Sequence, residues 1–562
     1  MKIVLASICA SYIHTPLALY ALRSYCSGYE DNIIIKPFNL SQKHSQILQG
    51  IYKETPNIIG FSCYIWNIDK TAQIAGSIKK ILPNALIVFG GPEVYGDYDS
   101  YLLSKTTDIV IRGEGEAPFY QLVDQYANNS LDLASINGIA YMYDGKIIKT
   151  PPPKPLDLKS LPFPYNNGLS EVKDKIIYYE GSRGCIASCS YCISSVSGSY
   201  RTRPMEDIFI HLDYFLSHKV KQVKFIDRTF NQDSQYAIDI WQYLIIRDNG
   251  ITNFHFEIAG DLLSAQELEL LAKARPGLFQ FEIGVQSTNE ATLDAINRKM
   301  DLKKLFDNVK TLKTYNNIHL HLDLIAGLPG EAYESCKKSF NDVYESSPDH
   351  IQLGFLKLLK GTPLKKDAAS LGIVSSGYPP YEVLCNRQLK YDDILSLKSI
   401  AEMVELFYNT QILPWTVKYL ITLYTSPFDF YCDLAVFMEG RGYVDKSVGR
   451  RQLYGLMYDF SLNSVKCGAD LRDLIQLDFY ESGGERGARC VLEAALPDHR
   501  QKMMKAYMKG KDSWANSIVF FETDVLLWIR DLIEPPVKRE HYLLFSNIPG
   551  QKKRMVAEVE IQ

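Results

Sequence analysis

The stretch "GSRGCIASCSYCISS", from Gly181 to Ser195, places Cys185, Cys189 and Cys192 close together in the chain. Three thiolates are one fewer than the four ligands of a closed tetrahedral zinc site. In a cubane iron–sulfur cluster each iron takes one outside ligand, so three cysteines bind three irons and leave the fourth open. The spacing therefore predicts a cluster with one reactive iron. The alternatives are a zinc knuckle or three free thiols.

The chain around the cysteines alternates apolar strands with helical segments. The predicted strands are 176–184, 222–230, 254–260, 278–287, 318–330 and 350–358, and the predicted helices are 204–218, 233–247, 264–274, 289–296, 302–315 and 331–345. Six successive βα units predict a partial (β/α)6 barrel over residues 171–360. Chemistry in such barrels lies at the carboxyl ends of the strands, and the cysteines directly follow the first strand.

Residues 1–150 show a second βα alternation. Apolar runs occur at 2–7, 32–38, 57–64, 85–91 and 108–113, with helix-like stretches between them. This pattern predicts an α/β domain with a doubly wound, Rossmann-like parallel sheet, in which ligands bind at the carboxyl ends of the strands. Asp144-Gly145 is a hairpin turn signal that closes the domain.

The remaining segments are a linker and a helical appendage. Residues 151–170 are rich in proline, which resists both helix and sheet, and they predict a semi-rigid linker. Residues 361–562 predict a mainly helical C-terminal domain, because several stretches have helical spacing. The stretch 515–533, "ANSIVFFETDVLLWIRDLI", is one of them.

Composition narrows the class of protein. The 61 basic and 65 acidic residues give a net charge of −4, which argues against a dedicated nucleic-acid binder. The sequence has no apolar run long enough to span a membrane. Outside the cluster, the other cysteines are scattered among the total of 11, as expected for free thiols in a reducing cytoplasm.

The spacing Cys-x-x-x-Cys-x-x-Cys after the first strand of a six-unit barrel resembles the radical S-adenosylmethionine (SAM) superfamily. The resemblance implies that SAM occupies the open iron of a [4Fe–4S] cluster. It also implies an external electron donor of the flavodoxin or ferredoxin type, and cleavage of SAM to a 5′-deoxyadenosyl radical.

The resemblance further implies a set of SAM contacts at the barrel strand ends. "FIDRTFN" stands where the family keeps a contact to the SAM amine, although it departs from the common Gly-Gly-Glu form. The alternative for each carboxylate is a salt bridge at the barrel rim. The candidate residues are Asp227, Asn231, Glu257, Glu282, Gln286, Arg298 and Gly327.

The N-terminal domain, with "GGPE" and then "DIVIRGEGE" at Asp108–Glu116, resembles the cobalamin-binding radical SAM enzymes. That class includes C- and P-methylases and an anaerobic tetrapyrrole cyclase. Glycines would let the backbone approach a corrin and its nucleotide tail, and polar and aromatic residues would line its lower face. The candidates are Ser62, Tyr64, Trp66, Gly90, Gly91, Glu93, Gly113, Glu114 and Gly115.

The Asp-x-His-x-x-Gly motif that supplies an axial cobalt ligand in many cobalamin proteins is absent. His14, in the first loop, is either that ligand or a simple polar contact. The alternative for the domain is a flavodoxin-like fold that binds no corrin.

These resemblances imply a cobalamin-dependent radical SAM enzyme that transfers a methyl group to an unactivated carbon through a 5′-deoxyadenosyl radical and methylcobalamin. One alternative is a radical cyclisation, rearrangement or oxidation without methyl transfer. Another is a redox or sensory protein that uses the cluster and corrin without turnover. The catalytic residues and the substrate, either a small molecule or a peptide, are not predicted.

Overall fold

The structure is a computed structural model. It describes residues 1–166, 168–196, 199–444, 446, 448–465, 471–482, 498–508, 516–531, 538–546 and 554–559. The chain divides into two compact units. The first is Met1–Cys336, Ser346–Pro348 and Gly354–Lys390, and the second is Lys337–Glu345, Asp349–Leu353 and Tyr391–Gln562.

The N-terminal part of the first unit is a seven-stranded sheet with five helices. The strands are β1 (Ile3–Cys9), β2 (Ile33–Asn39), β3 (Ile58–Ser62), β4 (Leu86–Gly90), β5 (Ile109–Ile111), β6 (Ile139–Tyr143) and β7 (Lys146–Lys149). The helices are α1 (Leu17–Tyr25), α2 (His44–Tyr52), α3 (Ile68–Ile81), α4 (Asp99–Leu103) and α5 (Glu116–Ala127). The strand order is β2-β1-β3-β4-β5-β6-β7, and the last two strands run antiparallel.

Strand β1 shows why both faces of this sheet are covered. Its residues point alternately to opposite faces, and each face has its own apolar core. Val4 and Ala6 belong to one core, and Ile3 and Leu5 to the other. Since β1 pairs with β2 on one side and β3 on the other, the strand order reverses there, which is where such sheets bind ligands. The predicted doubly wound α/β class is confirmed.

A six-stranded sheet follows, in the order β15-β14-β13-β12-β11-β8. Its strands are β8 (Ile177–Tyr179), β11 (Gln222–Phe225), β12 (Asn253–Ile258), β13 (Phe279–Gln286), β14 (His319–Ala326) and β15 (His350–Phe355). The helices are α6 (Met205–Ser217), α7 (Ser234–Ile246), α8 (Ala265–Leu271), α9 (Glu290–Ala295), α10 (Leu302–Tyr315) and α11 (Tyr333–Glu345). Shorter elements are β9 (Ser182–Arg183), β10 (Arg201–Thr202), α12 (Pro363–Asp367), β16 (Val374–Ser375) and β17 (Val383–Cys385).

The two faces of this sheet differ in polarity. Along β13, buried and partly exposed residues alternate without a break. The buried side packs on helices, since Trp241 of α7 makes ring contacts with Phe256 and Phe281. The opposite face carries polar side chains such as Lys224 and Glu282, and we call it the inner face. The ladders from β8 to β14 are parallel, as the predicted partial barrel requires.

The second unit is mainly helical, as predicted. Its helices beyond Lys390 are α13 (Tyr391–Met403), which continues as a π-helix (Val404–Asn409), α14 (Pro414–Ile421), α15 (Pro427–Gly440), α16 (Arg450–Asn463), α17 (Arg472–Glu481), α18 (Asp498–Met508) and α19 (Val525–Asp531). It also contains a sheet of β18 (Asn516–Thr523), β19 (Lys538–Ser546) and β20 (Met555–Val559).

The helix predicted over 515–533 is therefore wrong in its first half. Residues 516–523 form β18 and pair antiparallel with β19. Val519, Phe520 and Phe521 are all buried, and a short run of buried apolar residues has no period that separates strand from helix. Pairing with a distant strand decides the conformation, and local sequence does not carry that information.

We find no helix in the described part of the chain with the length and apolarity to cross a membrane.

Candidate functional site

The three cysteines lie on a loop that a short ladder closes. Strands β9 and β10 pair antiparallel, with Ser182 opposite Thr202 and Arg183 opposite Arg201. Gly184 follows β9 with a φ of +92°, and a Cβ there would lie 2.7 Å from a backbone oxygen across the loop. Only glycine fits this position without a shift of the backbone. The ladder thus fixes both ends of the cysteine loop.

Asp227, at the end of β11, supports this ladder. Its Oδ1 accepts the Gly181 N–H at 2.9 Å, and its Oδ2 accepts the hydroxyls of Ser182 at 2.7 Å and Tyr236 at 3.0 Å. Burial raises the pKa of the carboxyl to about 6, although the three hydrogen bonds oppose the shift. The sequence predicts Asp227 as a contact to SAM. The structure instead commits both carboxylate oxygens to the base of the cysteine loop.

The turn after α9 supports the loop from the other side. The Ser190 N–H donates to the carbonyl of Ile296 at 2.8 Å, and Asn297 Nδ2 donates to the carbonyl of Ser188 at 3.0 Å. Asn297 has a φ of +53°, a conformation that asparagine tolerates better than most residues. The sequence did not point to Asn297, because nothing in its local pattern indicates a partner 109 residues away.

Two of the three thiols have a polar neighbour at hydrogen-bonding distance, and the third is buried. Cys185 Sγ lies 3.3 Å from Thr229 Oγ1, and Cys192 Sγ accepts the Ser194 N–H at 3.4 Å. Cys189 is buried. Over the described residues, no three His, Cys, Asp or Glu side chains converge on a single metal ion. A [4Fe–4S] cluster takes one thiolate for each of three irons, and the three cysteines of this loop could supply them.

Arg298 and Gln286 bring two predicted SAM contacts next to this loop. Arg298 Nη1 lies 3.6 Å from Cys189 Sγ, and its Nη2 donates to the Gly284 carbonyl at 2.5 Å. Gln286 has a φ of +69° at a bulge in β13, and its side chain folds over Gly284. Its buried Oε1 has no hydrogen-bond partner within the described structure. A buried acceptor without a donor fits a site for a polar ligand.

Glu257 and Glu282, also predicted as SAM contacts, belong to an ionic cluster on the inner face. Glu282 Oε2 lies 2.9 Å from Lys224 Nζ and 3.0 Å from His255 Nε2. Burial raises the pKa of Glu282, but His255 and Lys224 outweigh it and lower the pKa to about 2. Glu257 Oε1 is 3.7 Å from the same Nζ. Burial and the neighbouring Glu282 raise the pKa of Glu257 to about 7.

The last two barrel candidates have structural partners. Asn231 exchanges two hydrogen bonds with the backbone of Ala259, at 2.9 and 2.8 Å, and so joins the ends of β11 and β12. The carbonyl of Gly327 accepts from Asn386 Nδ2 at 3.2 Å. Gly327 has a φ of +90° in the turn after β14, and this backbone conformation accounts for a glycine at the position.

The N-terminal domain has a cavity of about 160 Å³ between its sheet and helices α1 and α5. Six of the nine predicted corrin contacts line it, together with apolar residues such as Leu5 and Phe119. The six are Ser62, Tyr64, Gly90, Gly91, Gly113 and Gly115. The structure thus brings together predicted residues that follow or end three neighbouring strands, β3, β4 and β5.

Two glycines show how tightly the backbone is packed around this cavity. Gly91 has a φ of +117°, and a Cβ there would lie 2.6 Å from the carbonyl oxygen of Cys63. A Cβ at Gly60 would lie 2.7 Å from Leu5 Cδ2. Gly60 lines the cavity but was not singled out from sequence, because it lies inside an ordinary-looking strand. An apolar cavity walled by glycine backbone suits a ligand group that must approach the main chain closely.

The other three predicted corrin contacts lie outside the cavity. Trp66 is 47% exposed, stacks on Tyr64 with ring centroids 4.5 Å apart, and donates to the Ile8 carbonyl. Glu93 is buried, and it accepts from the Tyr381 hydroxyl and pairs with Lys360 at 3.2 Å. Its role in the structure is to hold the segment that follows the barrel. Glu114 is the third and is described next.

The glutamates of the "RGEGE" turn contact the cysteine loop. Glu114 pairs with Arg201 and accepts the Leu156 N–H at 2.8 Å, and Glu116 pairs with Arg183. The two arginines flank the cysteines in the closing ladder. Burial opposes the charge of Arg183, but Glu180 and Glu116 outweigh it and raise its pKa. These ion pairs connect the cavity-bearing domain to the ladder under the thiols.

His14, the possible cobalt ligand, lies beside the barrel. Its Nδ1 is 2.8 Å from the hydroxyl of Tyr178 on β8, and its backbone forms a bridge with Ile176. Burial and the charge of Lys224 lower the pKa of His14. A neutral imidazole with one nitrogen hydrogen-bonded has its other nitrogen available, so the simple polar contact and the ligand role both remain consistent with this position.

Three protein families match successive parts of the chain. Residues 3–123 match the B12 binding domain, residues 179–343 match the Radical SAM superfamily, and residues 369–527 match a protein family of unknown function, DUF4080. The match to the B12 binding domain covers the cavity, and the match to the Radical SAM superfamily covers the cysteine loop.

Among similar proteins, an uncharacterized methyltransferase, PH0819, of Pyrococcus horikoshii is 26% identical over 79% of this chain and 93% of its own length. The cobalamin-dependent radical SAM methyltransferase TokK of Streptomyces tokunonensis is 24% identical over 63% of this chain. The chain spans 55% of TokK. The structure of the cobalamin-dependent SAM radical enzyme OxsB with aqua-cobalamin bound superposes with a TM-score of 0.62 at 16% identity, over 85% of this chain and 78% of OxsB. This last likeness shows a shared fold.

Proposed function

We propose that this chain, which matches the B12 binding domain and the Radical SAM superfamily in successive parts, is a methyltransferase that acts on an unactivated carbon with a [4Fe–4S] cluster, SAM and cobalamin as cofactors. The cluster and cobalamin supply the radical and methyl-carrier chemistry when bound. The methyltransferase names of PH0819 and TokK support the proposal.

One observation carries the proposal: the cavity-lining turn of the N-terminal domain is bonded directly to the cysteine loop. Gly113 and Gly115 line the cavity, while Glu114 and Glu116 pair with the arginines on either side of the thiols. A methyl carrier in the cavity and SAM at the loop would therefore be held in a fixed relation. An enzyme that uses both cofactors on one substrate needs that relation.

The residues of the site have separable roles in this proposal. Cys185, Cys189 and Cys192 hold the cluster, and the open position accepts SAM. Gln286 offers a buried acceptor beside the loop, and Arg298 places a positive charge next to Cys189. We also propose that an external flavodoxin- or ferredoxin-type protein supplies the electron.

The proposal can be tested before the substrate is known. Protein reconstituted anaerobically with iron and sulfide is reduced in the presence of SAM carrying a CD₃ methyl group, with and without cobalamin. We expect S-adenosylhomocysteine to form only when cobalamin is present, because the methyl group needs an acceptor. Formation of 5′-deoxyadenosine alone under both conditions contradicts methyl transfer.

Matched cysteine variants control this experiment. Cys189→Ala removes one of the three loop thiols and should abolish 5′-deoxyadenosine formation. Cys385→Ser changes a half-buried thiol of β17 outside the loop and should leave it unchanged. Once a substrate is found, the decisive product is one that is heavier by a CD₃ group.

A further inference from the structure

The inner face of the barrel carries charged groups that none of the roles above explains. Five titratable side chains point away from the helices. They are Lys224 on β11, His255 and Glu257 on β12, Glu282 on β13 and Asp323 on β14. Strand register places Lys224 beside His255, and Glu257 beside Glu282. The Glu257 side chain is 28% exposed, so a ligand entering the barrel can reach it.

Negative charge exceeds positive charge on this face. Glu282 is neutralised, since Lys224 and His255 both contact its Oε2 within 3.0 Å. Burial and the charge of Lys224 oppose the protonation of His255, and its pKa is lowered despite Glu282. Lys224 therefore faces three carboxylates, Glu257, Glu282 and Asp323. A second permanent cation, Arg298, lies at Gly284 and donates to its carbonyl. Arg228 is exposed, and its charge lowers the pKa of Glu257 less than the charge of Lys224 does.

Two carboxylates are left without full compensation. Glu257 has its ion pair with Lys224 at 3.7 Å, which is too long for a hydrogen bond. Asp323 lies 3.0 Å from His321 Nε2, and burial raises the pKa of Asp323 despite this contact. Burial also raises the pKa of Glu257 to about 7. Both groups would be stabilised in their charged form by an added cation.

A third acceptor lies on β13, the strand that pairs with both β12 and β14. Asp323 is in register with Gly284 of β13, over which the Gln286 side chain folds. The Gln286 Oε1 is buried and has no donor among the described residues. Adjacent strands are about 4.8 Å apart, so Glu257, Gln286 and Asp323 surround one short stretch of β13. Arg298 connects this stretch to Cys189 through the Gly284 carbonyl.

We propose that Glu257, Asp323 and the Oε1 of Gln286 form a subsite that binds a protonated amino or guanidino group of the substrate. Such a group brings several N–H donors and a positive charge, and the three acceptors lack both. The subsite rests on the proposed function, because Arg298 links Gly284 at this subsite to Cys189 of the loop where the radical chemistry is proposed. It names the substrate class as a molecule with a basic nitrogen.

The ammonium group of SAM is a second source of the same chemistry, and the test separates the two. Reconstituted full-length protein is titrated with benzylamine and agmatine, and with benzyl alcohol as a neutral match, by saturation-transfer NMR with and without saturating SAM. We expect the amines to bind about tenfold tighter than the alcohol, since charge-assisted hydrogen bonds account for the difference. SAM should not displace them.

Variants assign the effect to the subsite. The double variant Glu257→Gln with Asp323→Asn should weaken amine binding about tenfold or more, while Glu269→Gln, an exposed carboxylate on α8, should not change it. Circular dichroism and iron content confirm that each variant is folded and loaded. The two single variants report which carboxylate is responsible, and at least one must weaken binding.

Four results would each overturn the subsite: equal binding of amine and alcohol, no amine binding at millimolar concentration, unchanged binding in the double variant, or displacement of the amines by SAM. The last result assigns the acceptors to SAM itself. None of these depends on methyl transfer. Failure to form S-adenosylhomocysteine with amine binding intact would instead contradict the methyltransferase proposal alone.

Discussion

Replacing Asp227 separates two roles that its position allows. In the structure the carboxylate accepts hydrogen bonds from Gly181, Ser182 and Tyr236, and all of these groups are at the base of the cysteine loop. The sequence-based prediction makes the same carboxylate a contact to the SAM amine. Asp227→Ala removes both roles, whereas Asp227→Asn keeps the shape and removes only the charge.

The hydrogen bonds give the size of each effect. In Asp227→Ala three buried donors lose their acceptor, at about 1–3 kcal/mol each, so we expect a loss of about 3–6 kcal/mol after water partly fills the space. In Asp227→Asn the amide oxygen can still accept the Gly181 N–H, and its NH₂ can donate to the hydroxyls of Ser182 and Tyr236, which rotate to accept. Loss of the buried charge offsets the weaker bonds, so the change should stay within about 1 kcal/mol.

The assay is iron content after anaerobic reconstitution, followed by equilibrium dialysis with SAM. We expect Asp227→Ala to lose most of its iron, because the ladder that closes the loop is destabilised. Asp227→Asn should keep both its iron and its affinity for SAM. If Asp227→Asn keeps its iron but loses SAM binding, the carboxylate contacts SAM directly. If Asp227→Ala keeps its iron, Asp227 does not support the cysteine loop.

Two further predictions test the inner face and the cavity. Because the pKa of Glu257 is raised from 4.5 to about 7, its contribution to stability is full below pH 4.5 and is lost as the pH rises through 7. Glu257→Gln should therefore raise the free energy of unfolding of the apo protein at pH 8 by about 1–3 kcal/mol and leave it nearly unchanged at pH 4.5; parallel urea-unfolding profiles for the two proteins would contradict this. Gly91→Ala forces a Cβ against Cys63 at a φ of +117°, so we expect it to cost more than about 1 kcal/mol and to abolish retention of cobalamin on gel filtration. The control Gly76→Ala, in α3 with no atom near the added Cβ, should stabilise the helix by about 0.5–1 kcal/mol and retain cobalamin.

Sequence predicted the elements well where their periodicity is strong. The helix predicted over 302–315 is α10 (Leu302–Tyr315), and the predicted hairpin turn at Asp144-Gly145 has both residues at positive φ. These features depend on local spacing and on backbone conformations that few residues adopt. Strand β18 was missed because its pairing, and not its own period, makes it a strand.

Sequence was less able to say what each polar residue of the site does. It identified Asp227, Glu114 and Arg298 as special, but their partners lie 45, 87 and 109 residues away in the chain. A buried carboxylate that binds a ligand and one that supports a loop have the same local pattern. They differ in which donors the fold brings to them, and that requires coordinates.

The "RGEGE" turn shows how one short motif can serve two sites. Its alternating residues divide between two surroundings: the glycines at 113 and 115 line the cavity, and Glu114 holds Arg201 of the closing ladder. A Cβ at Gly115 would meet Leu22 and Ile111 of the cavity wall, and Gly113 has a φ of +95°, which favours glycine. A neutral residue at Glu114 would leave the half-buried Arg201 without its carboxylate, which is costly. The alternation of glycine and glutamate thus follows from two requirements at once. Because Glu114 is paired with Arg201, we expect a shift of this turn on filling the cavity to move the ladder that closes the cysteine loop.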